Sequence, residues 1–346
     1  MPVPRRPSSR RSPKSNDLDR QVKQVVLGNL LFQTWFDSLY PEELVKKGTE
    51  LLYVCRWCFR YSCDAVAYTG HIRRCKHRPR PPGTRIYRDG SYSVWEVDGE
   101  DHKLFAQNLS LFAKLFLDHK SVFFDVSCFL YYLLVYTNPD DPNDYHILGY
   151  FSKEKMSWDP NNLACILIFP PYQHKQLGKL LMGVSYKLSG WEHGGRIGGP
   201  ERPLSKMGER SYIRFWEERL ARFFLLGNAG EKPREAKAGS RAKKIIAREE
   251  MTISEIGQAT GMLTEDVITA LKSMGIVEAE QPNKRRKRHS SEDQDDDLEL
   301  AVVRKQNVLD WVKGHGVSLL DPVKEEGFSG QWAIGQGNVK LDPENS

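Results

Sequence analysis

Four side chains that bind borderline cations recur early in the chain as Cys55-x2-Cys58-x12-His71-x3-Cys75. A tight turn lets the two cysteines of a Cys-x2-Cys pair point at one centre, and a His and a Cys four residues apart share one face of a helix. Zinc takes four such donors in a tetrahedron, so the spacing predicts a C2HC finger with Cys55, Cys58, His71 and Cys75 as its ligands. Protein fills all four positions, so the expected zinc is structural and has no open site for chemistry. Cys63 and His77 lie nearby but fit no ligand spacing, and Cys63 is expected to be a packed or free thiol. Disulfides are not expected in an intracellular chain with this pattern.

A finger of this size needs a larger body to serve, and the remaining residues supply one. The chain has 346 residues, enough for two or three domains and a sizeable core. No window approaches the roughly 18 to 20 consecutive apolar residues of a membrane span, and the first 20 residues lack a secretory apolar region. A soluble, intracellular protein is therefore expected. The net charge of +6 is concentrated in patches. Arg5, Arg6, Arg10, Arg11 and Lys14 lie in a Pro/Ser-rich segment, read as a disordered basic tail over 1–19. A second cluster, Lys284 to Arg288, precedes the acidic run Glu292 to Glu299. Such a cluster reads as a nuclear-import signal or a nucleic-acid contact within a disordered insertion, 282–298.

Between these patches the hydrophobic periodicity switches repeatedly. Apolar-periodic residues run from about Val22 to Tyr40, where Pro41 closes the stretch. Strand-like runs follow at Tyr92–Val97, Lys103–Ala106, Val122–Val126, Phe129–Tyr136, His146–Phe151 and Leu163–Phe169. Leu109, Phe112, Ala113, Phe116 and Leu117 recur at helical spacing and predict a helix over 107–117; another is predicted over 178–189. A polar linker is read at 228–245. Beyond it the rhythm helix, glycine turn, helix predicts a winged-helix-like segment over 246–281, with Thr252 and Thr264 as N-caps. Glu265 and Asp266 at the start of its second helix argue against phosphate contact there. A C-terminal helix and tail occupy 299–346, and the finger lies in an N-terminal segment, 20–80, ahead of a core at 81–227.

The most informative stretch of that core is ACILIFPPYQHKQLGKLL, residues 164–181. An apolar strand stops at Pro170 and Pro171, a polar loop follows, and a helix starts. Unpaired amides at that helix N-terminus make an anion cradle from Gln173, His174, Lys175, Gln176, Leu177, Gly178 and Lys179. The phosphate-binding motifs GxxxxGK[ST] and GxGxxG are both absent. A pyrophosphate bearing a long pantetheine arm is the natural remaining ligand.

The stretches LFAKLFLDHK (111–120), GYFSKEK (149–155), ACILIFPPYQ (164–173) and GPERPLS (199–205) follow the finger in that order. Together they resemble the MYST family of histone acetyltransferases, and NNLACILIFPPYQ is most similar to its fungal silencing branch. The resemblance implies an α+β fold: a GNAT-like acetyl-CoA-binding mixed sheet with helices, an N-terminal C2HC zinc finger and a C-terminal winged-helix-like segment. It implies acetyl transfer from acetyl-CoA to a histone-tail lysine, most plausibly on H4 and, in the silencing branch, at the sixteenth position of that tail. Glu201 then matches the family's general base, Cys165 its active-site cysteine and Lys120 its autoacetylated lysine. The resemblance gives Glu201 a largely buried cleft, Ile166, Leu167 and Ile168 backbone contacts to acetyl-CoA, and Ser205 a polar contact to it.

The loop departs from the family's Q-R-[RK]-G-[YL]-G: His174 stands for the arginine and Gln176 for the first glycine. If that position has φ > 0, glutamine costs on the order of 1 kcal/mol. A nucleus-localised enzyme that reaches the nucleosome through other subunits of a chromatin complex is the leading expectation. Neither membrane association nor direct sequence-specific DNA binding is expected. The alternative is a catalytically weak adaptor of such a complex.

Overall fold

The computed structural model describes residues 20–192, 197–227, 248–277 and 300–333. The expected tail at 1–19, the linker at 228–245 and the insertion at 282–298 with its basic cluster lie outside them. In chain order, β1 (Val22–Leu27), β2 (Leu30–Gln33), β3 (Thr49–Val54) and β4 (Tyr61–Ser62) precede α1 (Ala65–Arg74). Then come β5 (Thr84–Asp89), β6 (Tyr92–Asp98), α2 (Lys103–Lys114), β7 (Phe129–Asn138) and β8 (Asp141–Glu154). Two short strands, β9 (Asn161–Leu163) and β10 (Cys165–Ile168), lead to α3 (Leu177–Trp191), β11 (Gly199–Pro200) and α4 (Lys206–Leu226). The last elements are β12 (Arg248–Thr252), α5 (Ile253–Thr260), α6 (Thr264–Met274), β13 (Leu300–Arg304) and α7 (Lys305–His315). No helix among the described residues is long and apolar enough to cross a membrane.

The chain divides into two compact units. The first comprises the residues through Met156, Cys165–Leu177 and Gly327–Gly330. Its smaller sheet has the order β2-β1-β3-β4 and carries the finger. Its larger sheet, β10-β8-β7-β6-β5, is antiparallel throughout. The central β7, FLYYLLVYTN, is buried along most of its length, as an apolar run covered on both faces should be. β8 bulges at Leu148, where the register with β7 slips between Leu134 and Val135. There the Leu148 carbonyl accepts the Phe169 N–H at 2.9 Å. Gly149 sits so close to β10 that a Cβ would lie 2.3 Å from the Leu167 carbonyl oxygen.

Two strands expected from the sequence are not strands. Lys103–Ala106 forms the first turn of α2, because Phe105, Leu109 and Phe112 form one buried helical stripe. Val122–Val126 pairs with no strand; Phe123 and Val126 are buried as loop residues, and the Val126 carbonyl accepts from Phe129 N–H. The helix expected over 107–117 is present but begins at Lys103 and ends at Lys114.

The second unit comprises Ser157–Ala164, Gly178–Glu326 and residues from Gln331 onward. In its core, α3 and α4 meet where Trp216 Nε1 donates to the Tyr186 hydroxyl at 2.8 Å. α5 opens on a capping box, with Thr252 accepting from Glu255 N–H and the Glu255 side chain accepting from Thr252 N–H. α6 differs from expectation, because Leu263 is its N-cap and Thr264 is the first helical residue. β12 and β13 pair antiparallel over five residues and make the wing beside α5 and α6.

Candidate active site and metal centre

Asp64 caps α1 by accepting from Val66 N–H at 2.8 Å. The helix then presents His71, and Cys75 follows at its C-cap. The donor atoms of Cys55, Cys58, His71 and Cys75 all lie within 4.8 Å of one another. Cys55 Sγ and Cys75 Sγ are 3.8 Å apart, and Cys58 Sγ lies 3.2 Å from His71 Nε2. A tetrahedron with Zn–S bonds of about 2.3 Å has edges of about 3.8 Å, so the donor set fits zinc. The Cys75 thiol is pulled down to about 2 by hydrogen bonds from Cys55 and Cys58, while Cys58 is pushed up by its two sulfur neighbours. A dication at their centre would let all three thiols ionise. All six cysteines are free of disulfides; Cys63, expected to be a packed or free thiol, is free and exposed.

The finger is also fastened by a residue that spacing gives no hint of. Phe59 follows the second ligand at φ 58, a left-handed conformation normally left to glycine. The turn needs it: Phe59 N–H bonds back to the Cys55 carbonyl, and Cys55 N–H bonds to the Arg60 carbonyl. Burial compensates the strain. The ring is 1% exposed and packs on Phe105, Phe112 and Phe169 with centroids 5.4 to 5.7 Å away.

In the same unit, Cys165 opens the edge strand β10 opposite Ser152, whose hydroxyl accepts the Cys165 N–H at 3.3 Å. Across the sheet the row continues to Tyr131, whose phenol is pushed up to about 12 by burial, with Cys165 adding to the rise. β10 ends the order of its sheet, so Ile166, Leu167 and Ile168 have a strand partner on one side only. Pro170–Tyr172 then form a short 3-10 turn, and Gln173 Nε2 donates back to the Ile168 carbonyl at 2.8 Å. His174 (φ 62) and Gln176 (φ 59) both adopt the left-handed conformation, and His174, Lys175 and Gln176 are exposed. The condition attached to Gln176 is thus met. Leu177 starts α3, Gly178 has open space around its Cα, and Lys179 Nζ is held 2.7 Å from Glu218.

Glu201 and Ser205 belong to the second unit. Glu201 follows β11, which runs parallel to β9, and its N–H donates to the Leu163 carbonyl at 2.9 Å. Its side chain is solvent-exposed, not in the largely buried setting expected from the resemblance. Ser205 is the N-cap of α4 and accepts from Gly208 N–H at 3.1 Å. Lys120, in the first unit, is only 7% exposed and lies beyond the end of α2. A pair with no local signal holds the turn after Glu201: Arg202 is ion-paired to the fully buried Asp266.

A four-donor finger, an antiparallel sheet ending in an edge strand, and a winged-helix-like segment define an α+β protein with an N-terminal zinc-finger module. The chain belongs to the MOZ/SAS family, whose model matches residues 80–308, and a MYST family zinc finger domain matches residues 19–75. It is similar to the histone acetyltransferase MOF of Drosophila melanogaster, 41% identical over 258 residues, which cover 75% of this chain and 28% of MOF. It is 35% identical over 257 residues to the histone acetyltransferase Tip60 homolog of Caenorhabditis elegans, covering 74% of this chain and 51% of that protein. With the histone acetyltransferase SAS3 of Saccharomyces cerevisiae it shares 34% identity over 264 residues, 74% of this chain and 30% of SAS3. The chain therefore spans about half or less of the length of these relatives.

Proposed function

We propose that this chain is an acetyl-CoA-dependent histone lysine acetyltransferase. Three relatives named histone acetyltransferases, aligned over about three-quarters of the chain, support the class of reaction. The observation that carries the reading to particular atoms is the edge strand. β10 starts with Cys165, keeps one backbone edge outside its sheet, and runs into the Gln173–Leu177 loop at the start of α3. A pantetheine arm would lie along Ile166–Ile168, with its pyrophosphate on loop amides from Gln173 to Lys179 and Ser205 contacting another polar group.

Chemistry at the other end of the thioester requires a base. A lysine ammonium with pKa about 10.4 leaves about one amine in a thousand neutral near pH 7.4. Glu201 takes one ammonium proton, and the neutral nitrogen then attacks the acetyl carbonyl carbon. The C–N bond forms, the C–S bond breaks, and the second proton of the nitrogen passes to the departing coenzyme thiolate, leaving a neutral amide and the free thiol. Cys165 lines the acetyl group or takes it transiently, and Lys120 is a site of autoacetylation. The zinc finger supplies rigidity and no step of the reaction.

The substrate we assign is the H4 tail on the nucleosome, at the lysine in its sixteenth position. The setting is a nuclear silencing or transcription-regulating complex, whose other subunits deliver the enzyme. The test is acetyl transfer to nucleosomes by wild type and Glu201→Gln, with the modified lysine mapped by mass spectrometry. Transfer to that lysine by wild type, and loss of at least about 100-fold in Glu201→Gln, is expected. Equal rates would remove Glu201 from the mechanism. A weak adaptor is the second reading, favoured by the strained Gln176 and the lost arginine at His174; folded wild type that binds no acetyl-CoA in calorimetry would select it.

A further inference from the structure

Three residues of the turn around Glu201 are pinned to the protein: Gly199, Glu201 and Arg202. The Glu201 N–H is held by Leu163. Two residues earlier, Gly199 lies against α6, where a Cβ would come within 2.7 Å of Asp266 Oδ2 and 2.8 Å of Leu263 Cδ1. One residue later, Arg202 reaches the same carboxylate: its Nη2 pairs with Asp266 Oδ1, and its Nε donates to Glu265 Oε1 at 3.0 Å. The Arg202 guanidinium also lies 5.9 Å from the centroid of the Trp216 ring. The Asp266 side chain is 0% exposed, and its Oδ2, the oxygen facing Gly199, has no hydrogen-bond partner. Leaving a buried carboxylate oxygen unpaired is costly.

We propose that Asp266 is a positioning residue for acetyl transfer, fixing through Arg202 and Gly199 the turn that presents Glu201. The inference rests on Glu201 being the base. Misplacing a base by an ångström can cost about 100-fold in rate, so the effect belongs in kcat and not in substrate binding. Arg202 and Glu265 are the charged groups that dominate the electrostatics of this carboxylate. Tyr186 on α3 and Tyr212 on α4 lie close enough to feel its charge. Burial pushes the Asp266 carboxyl up to about 6, against the opposing pull of Arg202. The ion pair is therefore expected to weaken, and kcat to fall, as pH drops through about 6.

The test compares full-length, zinc-loaded wild type, Asp266→Asn, Arg202→Gln, their double variant and Glu201→Gln, with acetyl-CoA and nucleosomes. Asp266→Asn and Arg202→Gln should each lower kcat at least 10-fold with KM values within about twofold. The double variant should be no slower than either single one, and the step near pH 6 should vanish in Asp266→Asn. Should Asp266→Asn fail to fold, Arg202→Gln, whose side chain is 44% exposed, carries the kcat comparison. If Glu201→Gln is dead while the two positioning variants keep kcat within twofold, the inference is overturned and the base stands. If Glu201→Gln retains the wild-type rate, or wild type has no turnover, the base reading falls and this inference with it.

Discussion

Among the described residues, three that are not glycine hold left-handed backbone: Phe59, His174 and Gln176. Phe59 is strained and buried, so its ring and its φ oppose one another energetically. Phe59→Ala should lose roughly 3 to 5 kcal/mol of unfolding free energy, since it removes three aromatic contacts and keeps the strain. Phe59→Gly should be about 1 kcal/mol less damaging, because glycine relieves the left-handed penalty. Chemical denaturation of the zinc-loaded variants checks this inverted order. Gln176 is strained and exposed, so glycine there should gain roughly 0.5 to 1 kcal/mol, whereas β-branched Gln176→Val should lose about 1 kcal/mol or more. Thermal melts read both. The zinc ligands were legible because spacing alone defines them. The strain at Gln176 was legible only as a condition, since sequence does not report φ. Phe59 was invisible, because its justification lies in rings 46, 53 and 110 positions away in the chain.

At the scale of elements, local periodicity was readable where the buried face was apolar. β7, α2 from 107 onward and α3 followed that rule. α4 was missed, although at 21 residues it is the longest described helix. Glu217 and Glu218 lie on its buried face, tied to Arg214, Ser273 and Lys179, and charges on the inside erase the pattern that periodicity depends on. Likewise, Asp266 read only as an acid at a helix start and is buried against Arg202. Its carboxyl pKa, raised from about 3.9 to about 6, means the folded state binds that proton more tightly than the unfolded chain. The contribution to stability is full below about pH 4 and is lost as pH rises through about 6, a swing of about 3 kcal/mol. The stability difference between wild type and Asp266→Asn should therefore change by that order between pH 4 and pH 7, with the variant gaining at the higher pH. Guanidinium titrations across this range would show it; a difference independent of pH would mean that Asp266 titrates normally.

For the whole molecule, family membership and fold class follow from features spread along the chain, each short and local: a ligand spacing, a strand stopped by two prolines, a Pro-rich turn after β11. Substrate choice and partners have no such local signature, which is why they rest on the proposed function. The metal should act on stability and leave the chemistry alone. Removing zinc with a chelator should unfold the finger and expose Phe59, read as a loss of near-ultraviolet dichroism. Readdition at neutral pH, where the thiols can ionise around the ion, should restore it. Activity should follow that recovery without requiring any metal beyond one equivalent. The most direct test of the account is transfer of labelled acetyl from acetyl-CoA to nucleosomal H4 by the zinc-loaded chain, with Glu201→Gln beside it. Label appearing on H4 with wild type, and falling at least about 100-fold with the variant, is the predicted result. Equal label from both proteins, or none from a folded wild type, would contradict it.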